Sequence, residues 1–277
     1  MTGVLYLVAT PIGNLEDISA RAVRVLGEVD VIAAEDTRVS RKLLNHFEIK
    51  KPLISYYEQN KRMRGEELLQ RLLCGENIAL ITDAGMPAIS DPGADIVKDA
   101  ISAGIEIIAI PGASAVLTAL IVSGMDTVRF TFEGFLPREK AARRKILFSL
   151  SDESRTMIFY EAPHRLKAVL TDMVEQFGST RRIALCRELT KMHEQILRMS
   201  LEQASAYYCE NQPRGEFVLV VEGKAKDDEG IVVPDDSQLT EELNQLMGQG
   251  HSRKQASRII AEKYALAVKS VYDIGLR

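Results

Sequence analysis

The sequence predicts an α/β protein made of two α/β halves and a small helical appendage. Three observations predict it. Short apolar runs rich in Val, Ile and Leu recur through the first 223 residues, with helical patterns between them. Glycine-, proline- and charge-rich segments follow those runs, where open α/β sheets place their ligands. Beyond residue 235 only helical stripes remain.

The expected strands are Val4–Ala9, Val31–Ala34, Ile78–Thr82, Ile105–Ile110, Arg155–Tyr160, Arg182–Cys186 and Glu216–Val221. Apolar runs of this length suit parallel strands covered on both faces. The first expected helix is Ser19–Leu26, opened by a serine cap. Arg64–Leu73 follows, with Leu68, Leu69, Leu72 and Leu73 on one face. Asp95–Ser102 comes next, and another helix starts directly after Ile110-Pro-Gly-Ala-Ser-Ala115. His164–Gln176 carries Leu166, Val169, Leu170 and Val174 at helical spacing, with Gly178 as its stop.

The seam at Pro111-Gly112 divides the chain into an N-terminal domain, 1–112, and a second domain, 113–223. A polar stretch, Lys224–Gly230, reads as a linker. Residues 235–277 read as a helical unit. Leu239, Leu243 and Leu246 form one stripe, Ala256, Ile259 and Ile260 a second, and Val268–Ile274 a third. The Gly248–Lys254 break, with Ser252 as a helix cap, allows a helix-turn-helix-like shape; the plainer reading is a three-helix appendage.

The chain has 277 residues, 46% hydrophobic and 27% charged, which are ordinary globular values. A net charge of −4 argues against a generally basic nucleic-acid coat, but 35 Lys and Arg leave room for basic patches. Cys74, Cys186 and Cys209 stand far apart. They make neither a disulfide framework nor a zinc site, so no metal is expected and a reducing cytoplasm suits them. No run approaches the roughly 20 apolar residues of a membrane helix, and the N-terminal run lacks a basic leader. A soluble, cytoplasmic protein with no membrane partner is expected.

Three loops invite a ligand. Ala9–Asp17 follows the first strand. Thr82-Asp-Ala-Gly-Met-Pro-Ala-Ile-Ser-Asp-Pro-Gly93 packs two Gly and two Pro into a loop without a basic residue. It is neither a P-loop nor a dinucleotide loop, so a nucleoside or amino-acid moiety held by backbone groups fits better than a phosphate. Pro111–Ala115 leads into a helix N-terminus with free N–H donors. Polar clusters follow three more strands: Glu35–Arg38, Tyr160–Arg165 and Arg187–Glu194. Basic residues gather at Arg38, Arg41 and Lys42, at Lys61, Arg62 and Arg64, and at Arg138, Lys140, Arg143, Arg144 and Lys145. These are either solvated helix faces or phosphate contacts.

Six of these segments together resemble the tetrapyrrole-methylase family. They are Leu7–Ile18, Ala34-Glu-Asp-Thr-Arg38, Thr82–Gly93, Ile110–Ala115, Phe159-Tyr-Glu-Ala-Pro-His-Arg165 and Cys186–Glu194. They look most like the branch that 2′-O-methylates a cytidine in the decoding region of 16S ribosomal RNA. The resemblance implies two α/β domains of tetrapyrrole-methylase type, S-adenosyl-L-methionine in the cleft between them, and a homodimer. It implies 16S rRNA, within the small ribosomal subunit, as partner. Family members carry a Gly-rich first loop and Gly-Asp-Pro in the second; here Ala9–Asn14 and Gly85-Met86-Pro87 stand instead, so Met86 offers backbone or van der Waals contact only. Carried over by position, the cofactor contacts are Pro11, Asp83, Gly85, Met86, Ile89, Ser114 and Ala115, joined by Tyr160, Leu185 and Gly215 from the second half.

For the reaction so implied, Glu188 or Glu161 is expected to accept the hydroxyl proton, with His164 as a further candidate. Lys191, Arg187 and Arg165 are expected to orient phosphate or stabilise charge. The expected RNA contacts are Arg38, Arg41, Lys42, Arg62, Arg64, Arg138, Arg143, Arg144, Lys145, Arg165 and Arg187. The rival readings are a small-molecule tetrapyrrole methyltransferase and a non-catalytic RNA-binding module. The basic clusters and the helical tail argue against the first.

Overall fold

The computed structural model describes residues 2–91, 93–225, 234–264 and 266–274. The chain divides into two compact units, Met1–Lys224 and Ala225–Arg277.

The first unit contains two five-stranded sheets. In the first, all strands are parallel, in the order β3 (Leu53–Ser55), β2 (Val31–Ala34), β4 (Ile78–Ile81), β1 (Val4–Val8), β5 (Glu106–Ile110). Every residue of β2 and β4 is buried. Helices cover both faces, as parallel sheets require. Helix α1 (Ala20–Glu28) is capped by Ser19, which accepts from the Ala22 amide. Helices α2 (Thr37–His46), α3 (Lys61–Leu73) and α4 (Gly93–Ser102) complete this part.

The second sheet has the order β6 (Phe130–Phe135), β7 (Thr156–Glu161), β10 (Phe217–Val221), β8 (Arg182–Arg187), β9 (Gln195–Ser200). Here the expectation of parallel strands fails. Only β6 and β7 are parallel; β10 runs antiparallel to both β7 and β8. The apolar run of β10 reports two-sided burial rather than direction. Phe217, Leu219 and Val221 enter one core, while Val218 and Val220 enter the other. Helices α6 (Lys140–Ser149), α7 (Pro163–Phe177) and α8 (Leu201–Glu210) lie on the first face, and α5 (Ala115–Ser123) on the second. Gly178, at φ +89°, ends α7 as the sequence predicts.

The antiparallel register aligns the site edge of this sheet. Phe217 pairs with both Glu161 and Arg187, so the ends of β7 and β8 meet the start of β10.

The second unit comprises α9 (Asp236–Gly248), α10 (Arg253–Lys263) and α11 (Val268–Asp273). Leu239, Leu243, Ala256, Ile260, Ala261 and Val271 form its core. Ile259, expected in the apolar stripe, is exposed instead. The expected linker lies, from residue 226 onward, outside the described residues.

Candidate active site

The loops after β1, β4 and β5 come from adjacent strands and are joined directly. The Thr10 amide donates to the Gly85 carbonyl (2.9 Å), and the Gly85 amide donates back to Thr10 (3.1 Å). The Thr10 hydroxyl donates to the Thr82 carbonyl at 3.1 Å. Gly85 adopts φ +85°, which favours glycine, and its open side faces Ile12 and Ala113. At Gly112 a Cβ would stand 2.8 Å from the Ala9 Cβ, so only glycine lets the third loop pass the first. Ser114 caps α5 by accepting from the Leu117 amide.

These contacts bring together the loops that carry Pro11, Gly85, Met86, Ser114 and Ala115. Tyr160 joins them: Ile12, Ala113, Ala115 and Tyr160 belong to one apolar cluster. Ile89 lies on the same loop and is exposed. Leu185 does not join. Its side chain is fully buried in the opposite core with Phe159 and Leu219, because alternate strand residues face opposite sides.

The group expected there needs apolar surface, backbone donors and acceptors, and no phosphate site. The loops supply these, with the Ala115 and Val116 amides left over at the start of α5 by the Ser114 cap, which accepts from Leu117, and with Asp83 on the β4 loop. The residues present fit a nucleoside sulfonium cofactor.

The second sheet contributes the loop Glu188–Glu194. Lys191 Nζ bonds Glu188 Oε1 and Glu216 Oε2, each at 3.0 Å, and the Glu216 amide donates to the same Glu188 oxygen at 2.9 Å. Burial pushes the Glu188 carboxyl up, but the Glu216 amide and the Lys191 ammonium outweigh it and hold it below the ordinary range. A Cβ on Gly215 would stand 2.6 Å from Glu188 Cδ. Gly215 therefore makes room for Glu188. Glu188 and Thr190 both hold positive φ, 51° and 66°, as do Ala88 and Ser90 in the β4 loop. Strained non-glycine residues in both loops mark each as over-determined by its surroundings.

This geometry shows how the expected catalytic residues are held. Glu188 Oε1 accepts from both the Lys191 ammonium and the Glu216 amide. Glu161 has a fully buried side chain, 3.3 Å from the Arg165 Nε. It shares the face of β7 that carries Phe159, away from Tyr160. Burial raises its pKa, and its side chain is closed off from any hydroxyl donor in solvent. Arg165 in turn donates to the Leu136 and Pro137 carbonyls, and Arg187 to the Arg214 carbonyl. Both guanidiniums brace the protein's own backbone.

The feature the sequence reading undervalued is a cleft of about 810 Å³ beyond the carboxyl ends of β2, β3 and β4. Glu35, Asp36, Asp83 and Asp91 line it, with Ser55, Tyr57 and Ser90. Glu35 accepts from the Thr82 hydroxyl at 2.7 Å, and Asp83 accepts from the Asp36 amide at 3.1 Å. Burial raises the Asp83 and Asp91 carboxyls, whereas the Arg38 hydrogen bonds hold Asp36 down at about 2. Asp83 thus belongs both to the cofactor loop and to this cleft. The available signal was the position of Glu35-Asp36 at a strand end.

Arg38 lines the cleft, and it also borders a second, shallower hollow together with Arg41, Lys42 and Asn45. Arg41 and Lys42 are exposed and form no ion pair among the described residues, as do Arg62, Arg138 and Lys145. Arg64 pairs with Glu67. Arg143 is corrected: it is buried and its guanidinium is 2.6 Å from Asp172. Arg144 shares that carboxylate and also pairs with Glu175.

Two α/β sheets, with the β1, β4 and β5 loops of the first tied together beside an acidic cleft, suit a methylase-type protein. A sequence profile described as Tetrapyrrole (Corrin/Porphyrin) Methylases matches residues 4–205, and the chain belongs to that family. Its relatives include Ribosomal RNA small subunit methyltransferase I of Synechocystis sp., 51% identical over 99% of this chain and 98% of that protein. The protein of the same name from Bacillus subtilis is 46% identical over 98% of this chain and 93% of its own length. The one from Thermotoga maritima is 46% identical over 80% of this chain and 99% of its own length. In fold, the chain resembles a crystal structure of diphthine synthase, with TM-score 0.61, 15% identity and coverage of 80% and 90% of the two chains. It also resembles a uroporphyrin-III C-methyltransferase from Thermus thermophilus crystallised with S-adenosyl homocysteine, with TM-score 0.57, 16% identity and coverage of 79% and 97%.

Proposed function

We propose that the chain methylates 16S ribosomal RNA, using S-adenosylmethionine, at the 2′-hydroxyl of a cytidine in the decoding region. The observation that carries this reading is the junction at Asp83. The loop tied to Thr10 through Gly85 runs into an acidic cleft there, and the first turn of the basic helix α2 lines that cleft. The shared name of the full-length relatives supports the same substrate.

S-adenosylmethionine, when bound, supplies a methyl group activated by its sulfonium. The Thr10–Gly85 bridge, the α5 N-terminus and the Ile12–Tyr160 cluster hold and orient it. Arg41 and Lys42 hold phosphates of the RNA. The cleft carboxylates are acceptors for a cytosine amine. Asp83, whose carboxyl lines the cleft and is made more basic by partial desolvation, takes the proton of the ribose hydroxyl.

A homodimer acting in the cytoplasm on the small ribosomal subunit completes the reading. Helix α5 is apolar on every face, burying Val116, Ala119 and Leu120 while leaving Leu117 and Ile121 at 53% and 71% exposure. A helix apolar all round calls for a cover on its second face. The test of the function is methyl transfer to small-subunit rRNA compared with a precorrin. Transfer to the macrocycle alone would favour the small-molecule reading.

A further inference from the structure

The charges of the helical unit are sorted along the chain. Residues 235–250 carry four anions, Asp235, Asp236, Glu241 and Glu242, and no cation. Residues 251–274 carry five cations against Glu262 and Asp273. Two of those cations are used internally. Arg253 donates to the Tyr272 and Ile274 carbonyls, and Lys263 pairs with Glu242. The other three, Lys254, Arg258 and Lys269, are exposed and form no ion pair among the described residues. Lys254 and Arg258 lie one helical turn apart, on the face of α10 opposite the buried Ala256 and Ile260. The helix beneath them is firmly started, since Ser252 and Gln255 form a reciprocal capping box.

The Thermotoga maritima protein is matched over 99% of its own length by 222 residues, 80% of this chain. The compact body of the present chain ends at Lys224. A protein carrying the same name is therefore about as long as the body alone.

We propose that α10 and α11 form an RNA-docking surface on which Lys254, Arg258 and Lys269 contact phosphates, adding affinity for rRNA without entering the chemistry. This rests on the rRNA reading above. Unpaired cations on a rigid face, segregated from the acidic helix of the same unit, suit a regular polyanion. Phosphate contacts of this kind position a protein on folded RNA without reading sequence.

The test is made on the full-length chain. The Lys254→Gln/Arg258→Gln/Lys269→Gln variant is titrated with protein-free 16S rRNA and with assembled small subunits across a salt series, and its methyl transfer is measured at saturating RNA. The expected result on both substrates is a dissociation constant raised tenfold or more. The salt slope should flatten by about 2, since each phosphate contact is worth roughly 0.7–0.9 of slope. kcat and cofactor affinity should stay within twofold, and Lys254→Arg with Lys269→Arg should retain wild-type binding. Arg258→Gln alone, expected to raise the constant about threefold, replaces the triple variant if that fails to fold. An unchanged constant and slope overturn the proposal while leaving the rRNA reading intact. A loss confined to assembled subunits points to a protein contact and overturns it as well. Failure of the wild type to bind either RNA overturns both readings.

Discussion

Gly13 lies so close to Lys191 that a Cβ placed on it would stand 2.4 Å from the lysine Cγ, 2.9 Å from Thr190 Oγ1 and 3.1 Å from the Leu189 carbonyl. The first loop of one sheet therefore rests on the Glu188–Glu194 loop of the other with no space for a methyl group. Lys191 could bend aside, but the Leu189 backbone cannot do so cheaply. Gly13→Ala is expected to destabilise the body by about 1–3 kcal/mol, the usual cost of overpacking, and to weaken S-adenosylmethionine binding. Thermal unfolding and calorimetric titration measure the two effects.

Lys191 bridges Glu188 and Glu216 and is expected to position the loop. Lys191→Ala should lower the melting temperature and weaken cofactor binding, while kcat at saturating cofactor falls less than tenfold. A catalytic ammonium would give the opposite split. The pH dependence carries a further sign. The Glu188 carboxyl is held below its ordinary value, so its contribution is complete above the ordinary carboxylate range and is lost as pH falls through the lowered value.

Arg143 and Asp172 form a buried pair, with side chains 7% and 2% exposed. Asp172→Asn leaves a buried guanidinium without its counter-charge and is expected to cost about 3–5 kcal/mol. Burial raises the Asp172 carboxyl, but Arg144 and Arg143 outweigh it and the net direction is down. The difference between wild type and variant should be full at neutral pH and shrink as pH drops below the ordinary aspartate range. Urea unfolding at several pH values measures it.

The strands of both sheet centres were legible in the sequence because burial on both faces leaves an uninterrupted apolar run. The edge strands β3, β6 and β9 were not, whereas the edge strand β5, only partly buried, still carries an apolar run. Phe130-Thr-Phe-Glu-Gly-Phe135 and Gln195-Ile-Leu-Arg-Met-Ser200 alternate or mix polarity, since no residue in them is fully buried. Strand direction was equally hidden, because β10 is covered on both faces while running antiparallel. The cofactor loops were legible from Gly, Pro and their position after strands. The roles of the charged residues were not: Glu161, Glu188, Arg143 and Arg165 each stand in a charged motif at a strand end or on a helix. Only the fold reveals that their partners are Arg165, Lys191, Asp172 and the 136–137 carbonyls.

Asp83 separates catalysis from binding. Asp83→Asn keeps the shape and the acceptor for the Asp36 amide but removes the base. kcat is expected to fall about 10²–10⁴-fold, the usual contribution of a general base, with RNA affinity within threefold. In the wild type the rate should rise as pH passes through a value above the ordinary aspartate range, because burial raises that carboxyl.

The basic rim is tested on exposed residues only. Arg41→Glu with Lys42→Glu is expected to weaken rRNA binding at least tenfold at moderate salt and to flatten the salt slope, leaving the melting temperature within 2 °C. Filter binding across a salt series measures both quantities.

The most direct measurement is transfer of labelled methyl from S-adenosylmethionine to small-subunit rRNA from cells lacking this protein, followed by nuclease mapping. The expected product is one methyl group on a cytidine ribose, recognised because the adjacent phosphodiester resists alkali. Label on a base, or no label on RNA from either free 16S rRNA or the assembled subunit, would contradict the assignment.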